Sequence, residues 1–513
     1  MISFLHILRA FLSGDGALIL PEMELVLFAV GILVVDRWLA ANEKHWNAAL
    51  ALGGAAFSAF TLYVQHGKMA ALRAANQDSP GLLGFHQGVL VDAFSLFFAA
   101  LLLAATVLII LLSVRLLENN EEKPGAYYAL LLLACAGMML IASAVDVLAV
   151  LLGLQLMALS CYLLLRRAQS ETGGEIAQRA YAALWACSSV ALVLGFLLLY
   201  GNFHTTNLGR MAATLDARLD KGIAFGGLTE WHVVLALSLT AAGAFLLSEA
   251  APLHWFAPGI YECSPVPVAG FLSTAGKVAG FALLLRLFSF VFLFAQQKWI
   301  YVWGAVAIVS LLWASVAALG QANVMRLLAY GAVAHTGFIL LGLVATNETG
   351  FNGMAYYIGS YVFATLGAFG VLLVLQQRGA AVSPLAELDG LSRSSPAAVW
   401  LLLIFLLALA GIPPTTGFMA RYYMVKALLT AGHPGIAAFA VLCALTSSVY
   451  YGRVAAHAFR KPNEAQTPEA AATVPLTFSN GQTVALTAAA FVSLAAGLYP
   501  APFLRMASYV FGQ

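Results

Sequence analysis

Phe271-Leu-Ser-Thr-Ala-Gly-Lys277-Val-Ala-Gly-Phe-Ala-Leu-Leu-Leu-Arg286 lies in an apolar run long enough to cross a bilayer, with one ammonium near its middle. A charge facing lipid at that depth costs roughly 2.5–3.5 kcal/mol on insertion scales. Lys277 is therefore expected to face a protein interior, with water or a partner, and is the leading candidate functional residue. The competing reading is a lysine that snorkels to the headgroups. Apolar sequence on both sides of Lys277 argues against it.

The rest of the chain has the same character. Its 513 residues are 62% hydrophobic and 9% charged, with mean hydropathy +0.89, whereas soluble domains carry about 25% charged residues. This composition implies a polytopic, all-α membrane protein. The net charge of +2 and the lack of a polybasic run exclude a nucleic-acid partner. Cys135, Cys161, Cys187, Cys263 and Cys443 are scattered singly without a Cys-x-x-Cys pair, so no disulfide or metal framework is expected and they read as small packing residues. The first fifteen residues hold Arg9 in a short apolar stretch without a small-residue cleavage site, and no removable signal peptide is expected.

At about 20 apolar residues per crossing, fourteen spans are expected near 17–37, 47–65, 90–114, 125–144, 146–165, 180–201, 231–251, 265–290, 299–320, 325–346, 352–376, 397–430, 434–456 and 483–503. The twelfth is too long for one helix and is interrupted by Pro413-Pro414; the seventh runs into Pro252. Proline removes a backbone donor and clashes with the preceding turn, so both elements should be broken. Pro252 and Pro413 stand 161 positions apart. That offset suggests two five-helix copies, and an odd number of spans per copy inverts one against the other. The division is residues 1–124 for the first three spans, 125–290 and 291–460 for the two inverted repeats, and 461–513 for a loop and the last span. Unwound backbone at these breaks should be buried or line a cavity.

The loop charges set the orientation. With the N-terminus outside, inner segments receive thirteen basic residues: Arg37, Lys44, Arg115, Lys123, Arg166, Arg167, Arg179, Arg326, Arg378, Arg393, Arg453, Arg460 and Lys461. Outer segments receive eight: Arg9, Lys68, Arg73, Arg210, Arg218, Lys221, Lys298 and Arg505. Both termini are thus expected outside. The loops at 66–89, 203–230 and 457–482 are too small for catalytic domains and read as interfacial helices, turns or contact surfaces.

Few other polar groups accompany the spans: Asp146, Gln155, Glu249, His254, His335 and Arg421. Such a sparse series suits a buried proton path, since a buried amine can load and release a proton when its two protonation states lie close in free energy. His335 could equally be a core histidine bonded to backbone. Asp146 reads better as a helix N-cap.

Pro252-Leu-His-Trp-Phe-Ala-Pro-Gly-Ile-Tyr-Glu262-Cys-Ser-Pro-Val-Pro267-Val-Ala-Gly-Phe-Leu-Ser-Thr-Ala-Gly-Lys277 closely resembles the signature of the N-type antiporter-like subunits of respiratory complex I. Further matches follow in order: Leu20-Pro-Glu22, Gly137-Met-Met-Leu-Ile-Ala-Ser-Ala-Val-Asp146, Arg326-Leu-Leu-Ala-Tyr-Gly-Ala-Val-Ala-His335 and Ala410-Gly-Ile-Pro-Pro-Thr-Thr-Gly-Phe418. The Tyr-Glu and Pro-x-Pro run favours this type over the M and L types. The resemblance implies fourteen transmembrane helices, two inverted five-helix repeats with broken helices 7 and 12, and a place in the membrane arm of an NADH-quinone oxidoreductase. It implies no redox centre in this subunit, with NADH, FMN, iron–sulfur clusters and quinone handled by other subunits, and M-type and K-type neighbours in an inner membrane.

The same resemblance implies a proton axis through Gln155, Leu247, Lys277, His335 and Arg421, with His254 and Glu262 matching the family pattern. Where the family has glutamate, lysine and lysine, this chain has Gln155, Leu247 and Arg421. Gln cannot ionise, Leu has no polar atom, and Arg stays protonated. Breaking one side of a buried ion pair costs roughly 3–5 kcal/mol, whereas removing both partners can be neutral, so the joint loss at 155 and 247 reads as accommodated change. The path is expected to be impaired or rerouted. The candidate for rerouting is Glu249, although two residues beyond Leu247 on a regular helix point it elsewhere; a headgroup-facing carboxylate is the other reading. Two further functions stay open: a subunit of a multi-subunit cation/proton antiporter, and a non-conducting bridge between pump modules.

Overall fold

The computed structural model describes residues 14–40, 43–75, 81–118, 124–167, 174–220, 231–376, 384–460 and 478–510. Residues 1–13, with Arg9, lie outside these, as do Lys123, Lys221, Arg378 and Lys461. The described chain is nearly all helix: α1 (Leu20–Val35), α2 (Trp46–Ala75), α3 (Ala93–Glu118), α4 (Pro124–Ser143), α5 (Val147–Arg167), α6 (Gly174–Phe203), α7 (Leu208–Asp220), α8 (Trp231–Ser248) and α9 (Phe256–Cys263). It continues with α10 (Val266–Val291), then α11 (Leu293–Leu319), α12 (Val324–Ala345), α13 (Glu348–Gln376), α14 (Pro396–Ala410), α15 (Thr416–Thr430), α16 (Pro434–Phe459), α17 (Asn480–Leu498) and α18 (Ala501–Val510).

Twelve of these are long and apolar enough to cross a membrane. The 16-residue α1 and the broken α14–α15 element correspond to the other two expected spans. The chain is a multi-pass membrane protein. Helices α4, α10, α12 and α13 are buried almost all round, while α2, α6, α11, α16 and α17 turn most of their surface outward. A helix that is apolar on every face needs such an interior or a lipid surround.

Three features depart from expectation. Helix α2 runs on to Ala75, past the expected end at 65, and the loop after it holds a small antiparallel hairpin, β1 (Leu82–Gly84) with β2 (Val89–Val91). By contrast, part of the 203–230 loop is the amphipathic α7, in keeping with the short helix expected there. Helix α10 contains π turns at Leu272–Gly276 and Leu287–Val291. Among the cysteines, Cys187 is exposed rather than packed inside.

Local chemistry fixes the helix starts. Asn323 caps α12 by accepting from the Met325 and Arg326 N–H groups, and Glu262 at the end of α9 holds both Asn323 (2.8 Å) and Arg326. Asp146 caps α5 as expected, accepting from Leu148 N at 2.8 Å and Thr206 Oγ1 at 2.6 Å. Asp92 caps α3 through Ser95 N and also takes both guanidinium nitrogens of Arg286, at 2.6 and 2.9 Å. Arg286, 1% exposed, further donates to Ala142 O and covers the Phe94 ring, so one buried pair ties α3, α4 and α10 together.

Candidate functional site

Helix α8 stops at Ser248 and Glu249 takes a left-handed backbone, φ +58°. Few residues other than glycine adopt this conformation, and it is held only where the surroundings over-determine it. Here α12 supplies part of the restraint: Thr336 Oγ1 donates to Ser248 O at 2.8 Å, and on the other side Ser310 of α11 accepts from Ala251 N at 2.9 Å. The reversal of handedness defeats the helical projection that pointed Glu249 away. Its Oε2 lies 2.9 Å from Lys277 Nζ, and both side chains are at least nine-tenths buried.

Close approach of α8 to α10 makes this pair possible. A Cβ at Gly280, one turn beyond Lys277, would stand 2.7 Å from Ser248 N and 3.0 Å from Leu247 Cβ. Lys277 follows directly on the first π turn, a feature frequent at functional sites. Its N–H meets Thr274 O, and the Ser273 carbonyl is taken instead by Tyr361 Oη at 3.0 Å. The ammonium donates to Ala332 O of α12 at 2.8 Å and sits 5.4 Å from the centre of the Tyr361 ring. Tyr261 donates its hydroxyl to Glu249 Oε1. Lys277 therefore does not snorkel, and Glu249 does not face headgroups.

His335, on α12, has the Tyr361 ring 5.2 Å from its own. Its Nδ1 meets Tyr357 Oη at 2.8 Å and its Nε2 meets Tyr451 Oη at 3.4 Å. Tyrosine hydroxyls, rather than the backbone, satisfy the ring. Tyr357 also faces Arg421.

The second break is built differently. Gly411, φ +72°, ends α14. Arg421, from α15, returns to donate to Ala410 O (2.5 Å), Leu409 O (2.7 Å) and Ser447 Oγ (2.7 Å). Its guanidinium covers Phe338 at 4.8 Å. Among the described residues no carboxylate forms a salt bridge with Arg421. The carbonyl end of a helix carries partial negative charge, and that end solvates the cation.

The other expected positions form no hydrogen bond or salt bridge with the Glu249–Lys277 pair among the described residues. Gln155 is half-buried and bonded to α6, through Trp185 Nε1 (2.8 Å) and Ser189 Oγ (3.2 Å). Leu247 is packed apolar core. His254 is buried in the first break, edge-on to Trp313 and Tyr330, and its Nδ1 has no hydrogen-bond partner among the described residues. Pro252 belongs to the first break, Pro413 and Pro414 to the second. The sequence reading used Tyr261 only as part of the family signature and missed Tyr357, Tyr361 and Tyr451, whose type gives no sign of a shared interior. It also missed Asp92–Arg286, although an arginine closing an apolar run was a usable signal.

The chain as a whole has known relatives. Residues 144–447 match the family described as NADH:quinone oxidoreductase/Mrp antiporter, TM. The chain is 37% identical to NADH-quinone oxidoreductase subunit N 2 of Solibacter usitatus, across 96% of this chain and 97% of the relative. A chain of respiratory complex I from Thermus thermophilus superposes with a TM-score of 0.74 at 26% identity, covering 95% of this chain and 99% of the other. A chain of the Mrp complex from Dietzia sp. shares the fold, with a TM-score of 0.75 at 20% identity over 96% and 97% of the two chains. A full-length match to subunit N, with the same antiporter-like fold wrapped around the buried ion pair, leaves one assignment: the chain belongs to the NADH-quinone oxidoreductase subunit N family.

Proposed function

We propose that this chain is a membrane-arm subunit of an NADH-quinone oxidoreductase and takes part in proton translocation coupled to quinone reduction. The observation that carries the reading is the enclosed Glu249–Lys277 pair at the first helix break, inside a subunit N fold. At 2.9 Å, moving one proton from the ammonium to the carboxylate converts two charges into two neutral groups, and the reverse transfer restores them. A pair of this kind changes its protonation when a neighbouring charge shifts, which is the property a proton relay needs.

In this reading Glu249 does the work that Gln155 and Leu247 cannot. Lys277 passes protons toward His335 beside Tyr361, and Tyr357 and Tyr451 supply the hydroxyls around the imidazole. Arg421 keeps its proton and acts as a fixed positive charge beyond His335. The path is rerouted at its first half and closed by a permanent cation in its second. NADH, FMN, iron–sulfur clusters and quinone belong to other subunits, and M-type and K-type subunits are the expected neighbours. The membrane is the bacterial inner membrane, with both termini outside.

The test is purification through an affinity tag on this chain, followed by reconstitution in proteoliposomes. The reading expects co-purifying NADH-driven quinone reduction and a proton gradient that forms equally in sodium and potassium media. Sodium-dependent exchange without quinone reduction would favour the cation/proton antiporter alternative. Quinone reduction with an unchanged proton yield in Lys277→Ala would favour a bridging subunit that moves no protons.

A further inference from the structure

Away from the ion pair, α2, α3 and α18 enclose an apolar cavity of about 900 Å³, within the size range of small-molecule and cofactor sites. Alanines leave the space: Ala55 and Ala59 on α2 face Ala100 and Ala104 on α3. On α2 the lining runs from Leu52 to His66, and on α3 from Val107 to Ala93. At 1.5 Å per residue each wall is about 21 Å tall. Half of a whole bilayer, headgroups included, is also about 20–22 Å. The cavity is therefore about as tall as one leaflet is deep.

Its rim is basic. His66 and Arg505 line the mouth, and Arg73 lies over the ring of the lining residue Tyr509 at 5.7 Å. Lys68 adds a further positive charge on the same end of α2. Neither α2 nor α18 contains an acidic residue, and Asp92, at the adjoining start of α3, is already bound to Arg286. An apolar shaft one leaflet deep under a rim of this charge is complementary to acyl chains below an anionic phosphate. The amphipathic α18 is of the kind that lies among headgroups.

We propose that this cavity is a binding site for an anionic phospholipid, with acyl chain between α2 and α3 and phosphate held by Arg505, Arg73 and His66. A neutral quinone would make no use of the cationic rim, and a partner helix would leave the one-leaflet depth unexplained.

The test uses the intact complex in phosphatidylethanolamine vesicles doped with phosphatidylglycerol that carries a diazirine at its acyl end. Cross-links should concentrate at the deep ends of the two walls, residues 52–59 and 100–107, and unlabelled phosphatidylglycerol should compete far better than phosphatidylethanolamine. Arg505→Gln combined with Arg73→Gln should lower labelling roughly tenfold, and Ala104→Trp should abolish it. Should Ala104→Trp fail to assemble, the arginine variant decides alone. Labelling no stronger than on the outward-facing α6, equal competition by both lipids, or full labelling without the arginines would each overturn the proposal.

Discussion

The two broken helices solve one problem with opposite chemistry. The first break ends in a left-handed glutamate that carries its carboxylate to an ammonium. The second ends in a left-handed glycine, and its bare carbonyls are filled by an arginine to which no carboxylate is salt-bridged among the described residues. One break thus holds a pair that can exchange a proton, and the other holds a charge that cannot leave. The same interruption of a membrane helix makes a titratable site or a fixed one, depending on whether the turn residue has an acidic side chain.

Removing one member of the first pair should have the largest effect. Lys277→Ala leaves Glu249 buried without its counter-charge, at a cost of about 3–5 kcal/mol. The purified complex should lose thermal stability and its proton yield should fall. The double variant Glu249→Leu with Lys277→Leu should recover the stability and not the proton yield, which separates folding from transport. Next in size is Gly280→Ala. The added methyl collides with Ser248 N in backbone that cannot swing away, so overpacking of about 1–3 kcal/mol should accompany a weakened ion pair, read as a lowered proton yield.

At the second break, Arg421→Lys should cost about 1–2 kcal/mol through lost hydrogen bonds to the α14 carbonyls. It should raise rather than lower the proton yield, because an ammonium can give up its proton where a guanidinium does not. A lower yield from a stably assembled Arg421→Lys complex would break the contrast between the two breaks. The smallest effect is expected from Gln155→Leu. It leaves the Trp185 N–H without its acceptor, at about 1 kcal/mol, and should leave transport as it was, since Gln155 is anchored to α6 and not to the pair.

The membrane fold, Lys277 as an interior residue and both breaks were legible in the sequence because each rests on local rules: apolar length, a stranded charge, a proline. The partner of Lys277 was not. Helical periodicity turned Glu249 away by 200°, and only the handedness of one residue, imposed by contacts from α11 and α12, brings it back. The surroundings of Arg421 were hidden for a related reason. A guanidinium is expected to seek a carboxylate, and backbone carbonyls have no signature in a sequence. Asp92 and Arg286 lie 194 positions apart, and the tyrosines around His335 come from α13 and α16, so no spacing rule reaches them.

The proposed path takes protons through Glu249 and Lys277 in place of the positions held by Gln155 and Leu247. It is tested most directly by the number of protons moved per pair of electrons in proteoliposomes containing Glu249→Gln. The amide keeps the shape and cannot exchange a proton, so the ratio should drop below that of the unaltered complex while Gln155→Leu matches it. An unchanged ratio in Glu249→Gln would contradict the account.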